Sequence, residues 1–223
     1  MCGRLSLTSP NHRAAAELVA GLVPGFEVDG VARWLEDSGY TARYNVAPGQ
    51  DHWVVCGREG RPILARANWG LAGVKGKRVI NARAETIGER PMFQGAFAGG
   101  RCLVVADGFF EWERGSGRQP WWFRDAAGRG LLLAAVLVAD RFAVITVPAN
   151  EDVSRLHDRM PAIIDPSDTT KWLFEPAANA RPLLTSLRAG ALRATGVSRR
   201  VNSVEHDDPA CVEVVSVEVS CPS

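Results

Sequence analysis

The chain has 223 residues and a net charge of +1, and 46% of its residues are hydrophobic and 23% charged. This balance is typical of a soluble globular protein, and the length is sufficient to bury a sizeable core. The near-neutral charge neither requires nor excludes nucleic-acid binding, although a dedicated non-specific DNA binder is usually far more basic. Any nucleic-acid binding must therefore come from a local patch.

The sequence contains no run of eighteen apolar residues, and its most apolar stretch, Leu131–Val138, has the length of a strand. No membrane span is therefore predicted. The start, MCGRLSL, matches neither a secretory signal nor a lipidation pattern. Cysteines at positions 2, 56, 102, 211 and 221 form no C-x-x-C pair, and the four histidines are scattered. We expect a reducing cytoplasm and no metal site.

The pattern along the chain predicts helices at both ends and strands between them. Asn11 to Leu22 has helical periodicity, with Ser9 as the N-cap and Pro10 at the first position, and Val31 to Asp37 predicts a second helix. From His52 to Val147, short β-rich runs alternate with glycine-rich turns at residues 57–60, 70–76, 99–100 and 115–117. Late helices are predicted at Thr169 to Phe174 and Pro182 to Leu192, and a last strand at Cys211 to Val219.

These elements predict an α+β fold in a single domain spanning residues 1–223. The spacing of the runs indicates a mixed, mostly antiparallel sheet that closes toward a barrel, with flanking helices.

Cys2 carries unusual chemistry once Met1 is removed, because one residue then bears both a free α-amine and a thiol. The amine can condense with an aldehyde to a Schiff base, and the thiol can close onto it as a thiazolidine ring. Reference pKa values of about 7.7–8.0 for the amine and about 8.5 for the thiol leave usable reactive fractions near neutrality. A cysteine at position 2 alone is more often a residue in a frayed end.

Two further segments place polar residues where chemistry is possible. Asn81, Arg83 and Glu85 alternate and are predicted to share one face of a strand. Glu111 stands among aromatic residues, where desolvation would raise its pKa and allow proton transfer. From the residues alone, Asn81 could instead cap a turn, and Glu111 could point into solvent.

Three more segments remain ambiguous on their own. His157 next to Asp158 and Arg159 could be catalytic or an ordinary satisfied histidine, and either arginine, Arg83 or Arg159, could form a surface ion pair. The segment from Arg43 to Pro48 is interpreted as a turn. Gly70 to Lys77 has the wrong spacing for a phosphate loop and is interpreted as a basic turn.

Taken together, the motifs resemble those of the SOS response-associated peptidase family, whose members shield abasic sites by covalent linkage to DNA. The resemblance covers residues 2 to about 215, through the segments MCGR, RYNVAP, NWGL, INARAET, RCLVVADGFFEW, PANEDVSRLHDRMP and VSRRVNSVEHDDPACVE. It implies that Cys2 is the nucleophile and that Asn81 hydrogen-bonds at the linkage. It also implies that Glu111 transfers protons and that His157 assists opening of the sugar ring.

The resemblance further implies a DNA interface and no cofactor. Arg4, Arg83 and Arg159 would lie near the phosphates, and Trp69 and Pro48 would wedge against the bases beside the lesion. An exposed tryptophan that stacks on a base is worth roughly 1–3 kcal/mol. The implied partner is single-stranded DNA containing abasic sites, bound by a monomeric cytoplasmic protein that joins the nucleoid when it binds DNA.

The chain departs from the family pattern at two places. Gly108-Phe109-Phe110-Glu111-Trp112 replaces the usual G-W-Y-E-W, and the loop that follows Leu71 is short and basic. Two alternatives to covalent capture remain open. One is a peptidase, acting on Met1 of its own chain or on other proteins, and the other is a non-covalent reader of single-stranded or modified DNA.

Overall fold

The computed structural model describes residues 2–113 and 118–216. Its helices are α1 (His12–Leu22), α2 (Val28–Asp37), α3 (Pro91–Gly99), α4 (Glu151–Ser154), α5 (Thr169–Phe174) and α6 (Ala177–Ala180). Its strands are β1 (Leu5–Leu7), β2 (Arg43–Val46), β3 (Asp51–Arg58), β4 (Arg61–Trp69), β5 (Leu71–Ala72), β6 (Arg78–Val79), β7 (Asn81–Arg83), β8 (Arg101–Ala106), β9 (Gly108–Trp112), β10 (Pro120–Asp125), β11 (Leu131–Val138), β12 (Arg141–Pro148), β13 (Arg159–Pro161), β14 (Leu192–Val197) and β15 (Val214–Ser216).

Most of the strands form two sheets, and β5 pairs with β6 in a separate hairpin. The first sheet is antiparallel, in the order β15-β14-β10-β9-β1-β2. The second sheet has the strand order β11-β8-β3-β4-β12-β13, and β7 also pairs with β12. An additional pairing of β11 with β12 closes the strands from β11 to β12 into a ring. Only β4 and β7 run parallel to β12 among the described pairs. The predicted α+β fold with a curled, mostly antiparallel sheet is confirmed.

A cluster of buried apolar side chains connects the two sheets. It includes Leu5 of β1, Phe109 of β9, Val104 of β8 and Val144 of β12, all fully buried. Successive side chains of β9 and β10 point to opposite faces of the first sheet. Phe109 and Phe123 therefore face this cluster, while Phe110 and Trp122 pack into a second, smaller cluster. The first sheet is therefore covered on both faces, and β1 lies inside it.

Several predicted elements are confirmed and others are wrong. Helices α2 and α5 are found, but α1 is capped by Asn11, whose Oδ1 accepts the Ala14 N–H at 3.0 Å, and Ser9 is not the cap. Arg43 to Val46 is a strand, and Pro48 follows it. Glu85 lies in a 3-10 turn after β7, so it does not share a strand face with Asn81.

The C-terminal predictions need the largest corrections. Pro182 to Leu192 is not a helix, since a 3-10 turn at Arg181–Leu183 gives way to irregular chain and Leu192 opens β14. Cys211 lies in a 3-10 turn, and strand structure begins at Val214. Residues 217–219 of that predicted strand, and the predicted turn at 115–117, lie outside the described residues.

Candidate active site

Cys2 lies just before β1, where the two sheets meet. The Phe110 N–H donates to the Arg4 carbonyl at 3.1 Å, which continues the pairing of β1 with β9 toward the N-terminus. The Cys2 side chain is fully buried, and its sulfur lies 3.9 Å from the Arg4 carbonyl oxygen. Cys2 is therefore held by burial and by the sheet hydrogen bond of the neighbouring Arg4, and it does not lie in a frayed segment.

Asn81 brings the second sheet to Cys2. It opens β7, which runs parallel to β12 with Asn81 opposite Val144. Its Nδ2 donates to the Cys2 carbonyl at 2.9 Å. Its Oδ1 is buried and accepts no hydrogen bond from the described residues, so an acceptor beside Cys2 is available.

Glu111 brings a buried carboxyl group to the candidate site. It lies on β9 opposite Trp121, and its side chain is 3% exposed. Burial raises the pKa of Glu111 to about 7. Burial, and then the negative charge of Glu111, also raise the pKa of the Cys2 thiol above its ordinary range. The charge of Glu111 thus acts on the Cys2 thiol, and a pKa of about 7 leaves Glu111 in both protonation states near neutral pH.

The turn that holds His157 approaches Glu111 from the second sheet. The negative charge of Asp158 contributes to the raised pKa of Glu111. Nδ1 of His157 accepts the Arg159 N–H at 2.9 Å and lies 3.0 Å from Asp158 Oδ1. Nδ1 cannot accept a hydrogen bond from the Arg159 N–H and at the same time donate one to the Asp158 carboxylate. When Nδ1 accepts from Arg159, a neutral imidazole ring therefore carries its proton on Nε2.

The three predicted phosphate-binding arginines have different environments. Arg4 lies over the Trp112 ring at 5.7 Å, and its Nη1 donates to the Gly3 carbonyl at 3.2 Å. Arg83 is exposed on β7. Arg159 donates from both Nη atoms to the Glu85 carboxylate, at 2.5 and 2.9 Å, and Nη2 also reaches the Thr146 carbonyl. The Arg159 guanidinium is thus held by protein groups.

Trp69 does not have the exposed position that base stacking requires. The side chain is fully buried, its ring stacks on Phe142 with centroids 5.9 Å apart, and its Nε1 donates to the Ile80 carbonyl at 3.0 Å. The expectation of an exposed indole is therefore wrong. Pro48 is half-buried near this ring, since the Gly49 N–H donates to the Trp69 carbonyl at 2.7 Å.

Two neighbours of the site are not anticipated from the sequence. Asp158 affects both His157 and Glu111, and its only sequence signal is its position next to His157. Trp112 is partly exposed beside Arg4, and its Nε1 donates to Asn202 Oδ1 at 2.6 Å. The sequence places Trp112 directly after Glu111, but the strand pattern alone does not indicate that Arg4 packs on it.

Neither a metal cluster nor a membrane-spanning helix is found in the described part of the chain. Its His, Cys, Asp and Glu side chains form no group of three or more that could hold a metal ion. No helix within residues 2–113 and 118–216 has the length and apolar character needed to cross a membrane.

Comparison with known families identifies the chain. The family model described as SOS response associated peptidase (SRAP) matches residues 1–204. The chain belongs to this family. Among SRAP relatives, the abasic site processing protein YoqW of Bacillus subtilis is 28% identical over 96% of this chain and 99% of its own length. The abasic site processing protein HMCES of Gallus gallus is 30% identical over 85% of this chain and 70% of its own length.

Solved structures agree with the SRAP assignment at the level of the fold. The crystal structure of a protein from Bacteroides thetaiotaomicron matches with a TM-score of 0.76, covering 96% of this chain and all of that one, at 21% identity. A phage-related protein from Bordetella bronchiseptica matches with a TM-score of 0.70 at 25% identity, covering 89% of this chain and 95% of that one.

Proposed function

We propose that this protein processes abasic sites in single-stranded DNA by linking covalently to them through a thiazolidine formed by Cys2. The observation that carries the proposal is the placement of Cys2, held by Asn81 at 2.9 Å beside a buried carboxyl group with a pKa of about 7. Relatives that match more than nine-tenths of the chain are named abasic site processing proteins, which supports the same substrate.

The reaction begins with removal of Met1, by a host aminopeptidase or by the Cys2 thiol itself. The α-amine of Cys2 then adds to the aldehyde of the ring-opened deoxyribose, and loss of one water gives a Schiff base. The thiol adds to the carbon of the protonated Schiff base, forming the C–S bond and giving its proton to a base, while the nitrogen keeps the hydrogen it already carries. The net change is aldehyde plus aminothiol to thiazolidine plus water, with no redox step.

The electrostatics of the site favour this order of events. Burial and Glu111 hold the Cys2 thiol protonated, so the amine attacks the aldehyde first. Glu111 in its acid form can protonate the departing hydroxyl of the carbinolamine. The resulting carboxylate can then take the thiol proton as the C–S bond forms. We assign Asn81 Oδ1, which is buried and accepts no hydrogen bond from the described residues, the role of accepting from the nitrogen of Cys2 during the reaction.

His157 and the arginines are assigned supporting roles. His157, with its proton on Nε2, would donate toward the sugar ring oxygen and open the ring to the aldehyde. Arg4 and Arg83 would bind phosphates of the DNA strand. Arg159 would do so once its ion pair with Glu85 is broken. An abasic nucleotide in a single strand presents its sugar without the cost of unpairing a base, which favours this substrate.

The test mixes purified protein with single-stranded DNA carrying one abasic site and separates the products on a denaturing gel without borohydride. The intact mass of the protein first establishes whether Cys2 is the N-terminal residue. We expect a shifted band with the wild type and with Cys56→Ser, a matched cysteine loss elsewhere in the chain. We expect none with Cys2→Ala.

Cys2→Ser separates the amine from the thiol. It keeps the amine, so it should form only a labile Schiff base, with strand cleavage as a lyase side reaction. A stable crosslink in Cys2→Ser would overturn the thiazolidine. If wild type with a free Cys2 formed no crosslink, non-covalent reading of single-stranded DNA would be the function that remains.

A further inference from the structure

Two cysteines outside the candidate site lie directly opposite each other on neighbouring strands of the second sheet. Strands β3 and β8 are antiparallel, and the register of their pairing places Cys56 opposite Cys102. Side chains that face each other across an antiparallel pair point to the same face of the sheet, with Cβ atoms about 4.5–5.5 Å apart. Both cysteines are free. The fold therefore brings together two unlinked thiols that are distant in the sequence.

The backbone separation at this position suits a disulfide. Opposite residues of an antiparallel pair have Cα atoms about 5.5 Å apart where they exchange hydrogen bonds and about 4.5 Å apart where they do not. Disulfides join Cα atoms about 4.4–6.8 Å apart, so either case is within range. Burial, and then the charge of a Cys56 thiolate, raise the pKa of the Cys102 thiol. The second contribution requires the two sulfur atoms to lie near each other, in agreement with the register.

The two thiols differ in exposure, and this difference sets the order in which they react. Cys102 is fully buried in the hydrophobic core, whereas Cys56 is half-buried near the end of β3. Burial raises the pKa of the Cys56 thiol, and the positive charge of Arg58 opposes this effect. Cys2 and Cys211 are fully buried. Among the described cysteines, Cys56 is therefore the one that an oxidant in solution reaches first.

We propose that Cys56 and Cys102 form an oxidisable pair, which a peroxide converts to a disulfide that joins β3 to β8. The Cys56 thiolate attacks one peroxide oxygen, which gives a sulfenic acid and releases the other oxygen as water. The Cys102 thiol then displaces the sulfenic hydroxyl as a second water, and the S–S bond forms. The two sulfur atoms together lose two electrons, and the peroxide gains them. The inference is independent of the proposed function, because Cys2 takes no part in it.

The disulfide would stabilise the ring of strands on which Asn81 depends. Strands β3 and β8 belong to this ring, and β7, which begins with Asn81, pairs with β12 of the same ring. Closing a loop of about 46 residues restricts the unfolded chain, so oxidation should raise the midpoint of thermal unfolding by roughly 5–15 °C. Dithiothreitol should reverse the rise.

The test oxidises the folded protein with hydrogen peroxide, alkylates the remaining thiols in denaturant and maps the tryptic peptides without reduction. Cys56 and Cys102 lie in separate tryptic peptides, residues 44–58 and 102–114. We expect these two peptides to become linked, with the loss of two hydrogen atoms, and dithiothreitol to release them. The yield at a fixed time should increase between pH 7 and pH 9, because the thiolate fraction of Cys56 grows.

Two variants and an unfolded sample show whether the folded sheet directs the linkage. Cys211→Ser removes a cysteine elsewhere and should leave the linked peptides unchanged, whereas Cys56→Ser should abolish both the link and the rise in unfolding midpoint. In urea the preference for this pair should disappear, since an unfolded chain favours closely spaced cysteines. A folded wild type in which peroxide does not link these two peptides, or links Cys56 to another cysteine, would overturn the inference.

Discussion

At the scale of single residues, Glu111 distinguishes a reactive site from a well-packed strand. A carboxyl group with an ordinary pKa would be fully ionised at neutral pH and could act only as a base. Because burial raises the pKa of Glu111 to about 7, the same group can donate a proton in one step and accept one in the next. The sequence anticipates this from the aromatic residues around Glu111, whereas the contribution of Asp158 comes from a distant turn.

Glu111→Gln should slow crosslinking on the order of 10²-fold or more, because the amide cannot transfer the proton. The wild-type rate should change around pH 7 with the titration of Glu111, and this dependence should be absent in the variant. Single-turnover crosslinking rates between pH 5 and 9 measure both effects. An unchanged rate profile in the variant would remove Glu111 from the mechanism.

Protein stability gives an independent check on the same variant. The folded-state pKa is raised from 4.5 to about 7, so the protonated form stabilises the fold fully below pH 4.5, and this stabilisation is lost as the pH rises through 7. Glutamine has no charge to bury, so Glu111→Gln should gain stability relative to wild type from pH 5 to pH 8. Each pKa unit is worth about 1.4 kcal/mol, which sets an upper limit of roughly 3 kcal/mol in urea unfolding.

At the scale of elements, helices and strands with a regular hydrophobic period are predicted well from the sequence. Segments whose conformation depends on hydrogen bonds to distant residues are not. Asp207 accepts the N–H groups of Tyr44 and Asn45, at 2.5 and 2.8 Å, and so helps hold β2 in a segment that the sequence presents as a turn. The Asp152 carboxylate accepts hydrogen bonds from the N–H groups of Gly190 and Leu192. These bonds help fix the irregular chain before β14, where the sequence predicts a helix. Both carboxylates are distant in sequence, so local patterns could not reveal them.

The same limit applies to the helix α3 and to Trp69. Helix α3 is not predicted from the sequence, because its buried Phe93 and Phe97 lie among small residues with little polar contrast. The family resemblance implies that Trp69 contacts bases, but the ring is buried against Phe142 of β12 and donates to the Ile80 carbonyl, contacts that local sequence does not reveal. In contrast, the sequence singles out Asn81 and Glu111 as polar residues in an apolar or turn-rich context and Cys2 for its amine and thiol, and the structure brings the three together.

The pair of Arg159 and Glu85 provides a prediction about how elements are joined. Arg159 begins β13, and Glu85 follows β7, so the bidentate pair joins the two strands that flank β12. A double-mutant cycle with Arg159→Gln and Glu85→Gln should give a coupling energy of about 1 kcal/mol in denaturant unfolding, since Glu85 is half-exposed. The more exposed pair of Arg13 and Glu17, 3.6 Å apart, is the control and should couple weakly. Additive losses for Arg159 and Glu85 would mean that the pair does not hold the strands together.

At the scale of the whole molecule, the fold places the beginning of the chain at the meeting point of both sheets. Strand β1 lies between β9 and β2. Asn81 of the second sheet donates a hydrogen bond to Cys2, which precedes β1 in the chain. The last described strand, β15, lies at the opposite edge of the first sheet. An extension at the N-terminal end of the described chain would therefore affect Cys2, the proposed nucleophile, whereas an extension after β15 would not.

This asymmetry predicts opposite effects of extending the two ends. A short Gly-Ser extension before Met1 should leave a folded protein that forms no stable crosslink, because the nitrogen of Cys2 remains an amide. The same extension after Ser223 should leave crosslinking at the wild-type level. Proteolytic trimming that makes Cys2 the first residue should restore the shifted band. If an N-terminally extended protein, shown by mass to be uncleaved, formed a stable crosslink, the α-amine would not be the reactive group and another nucleophile in the chain would have to be sought.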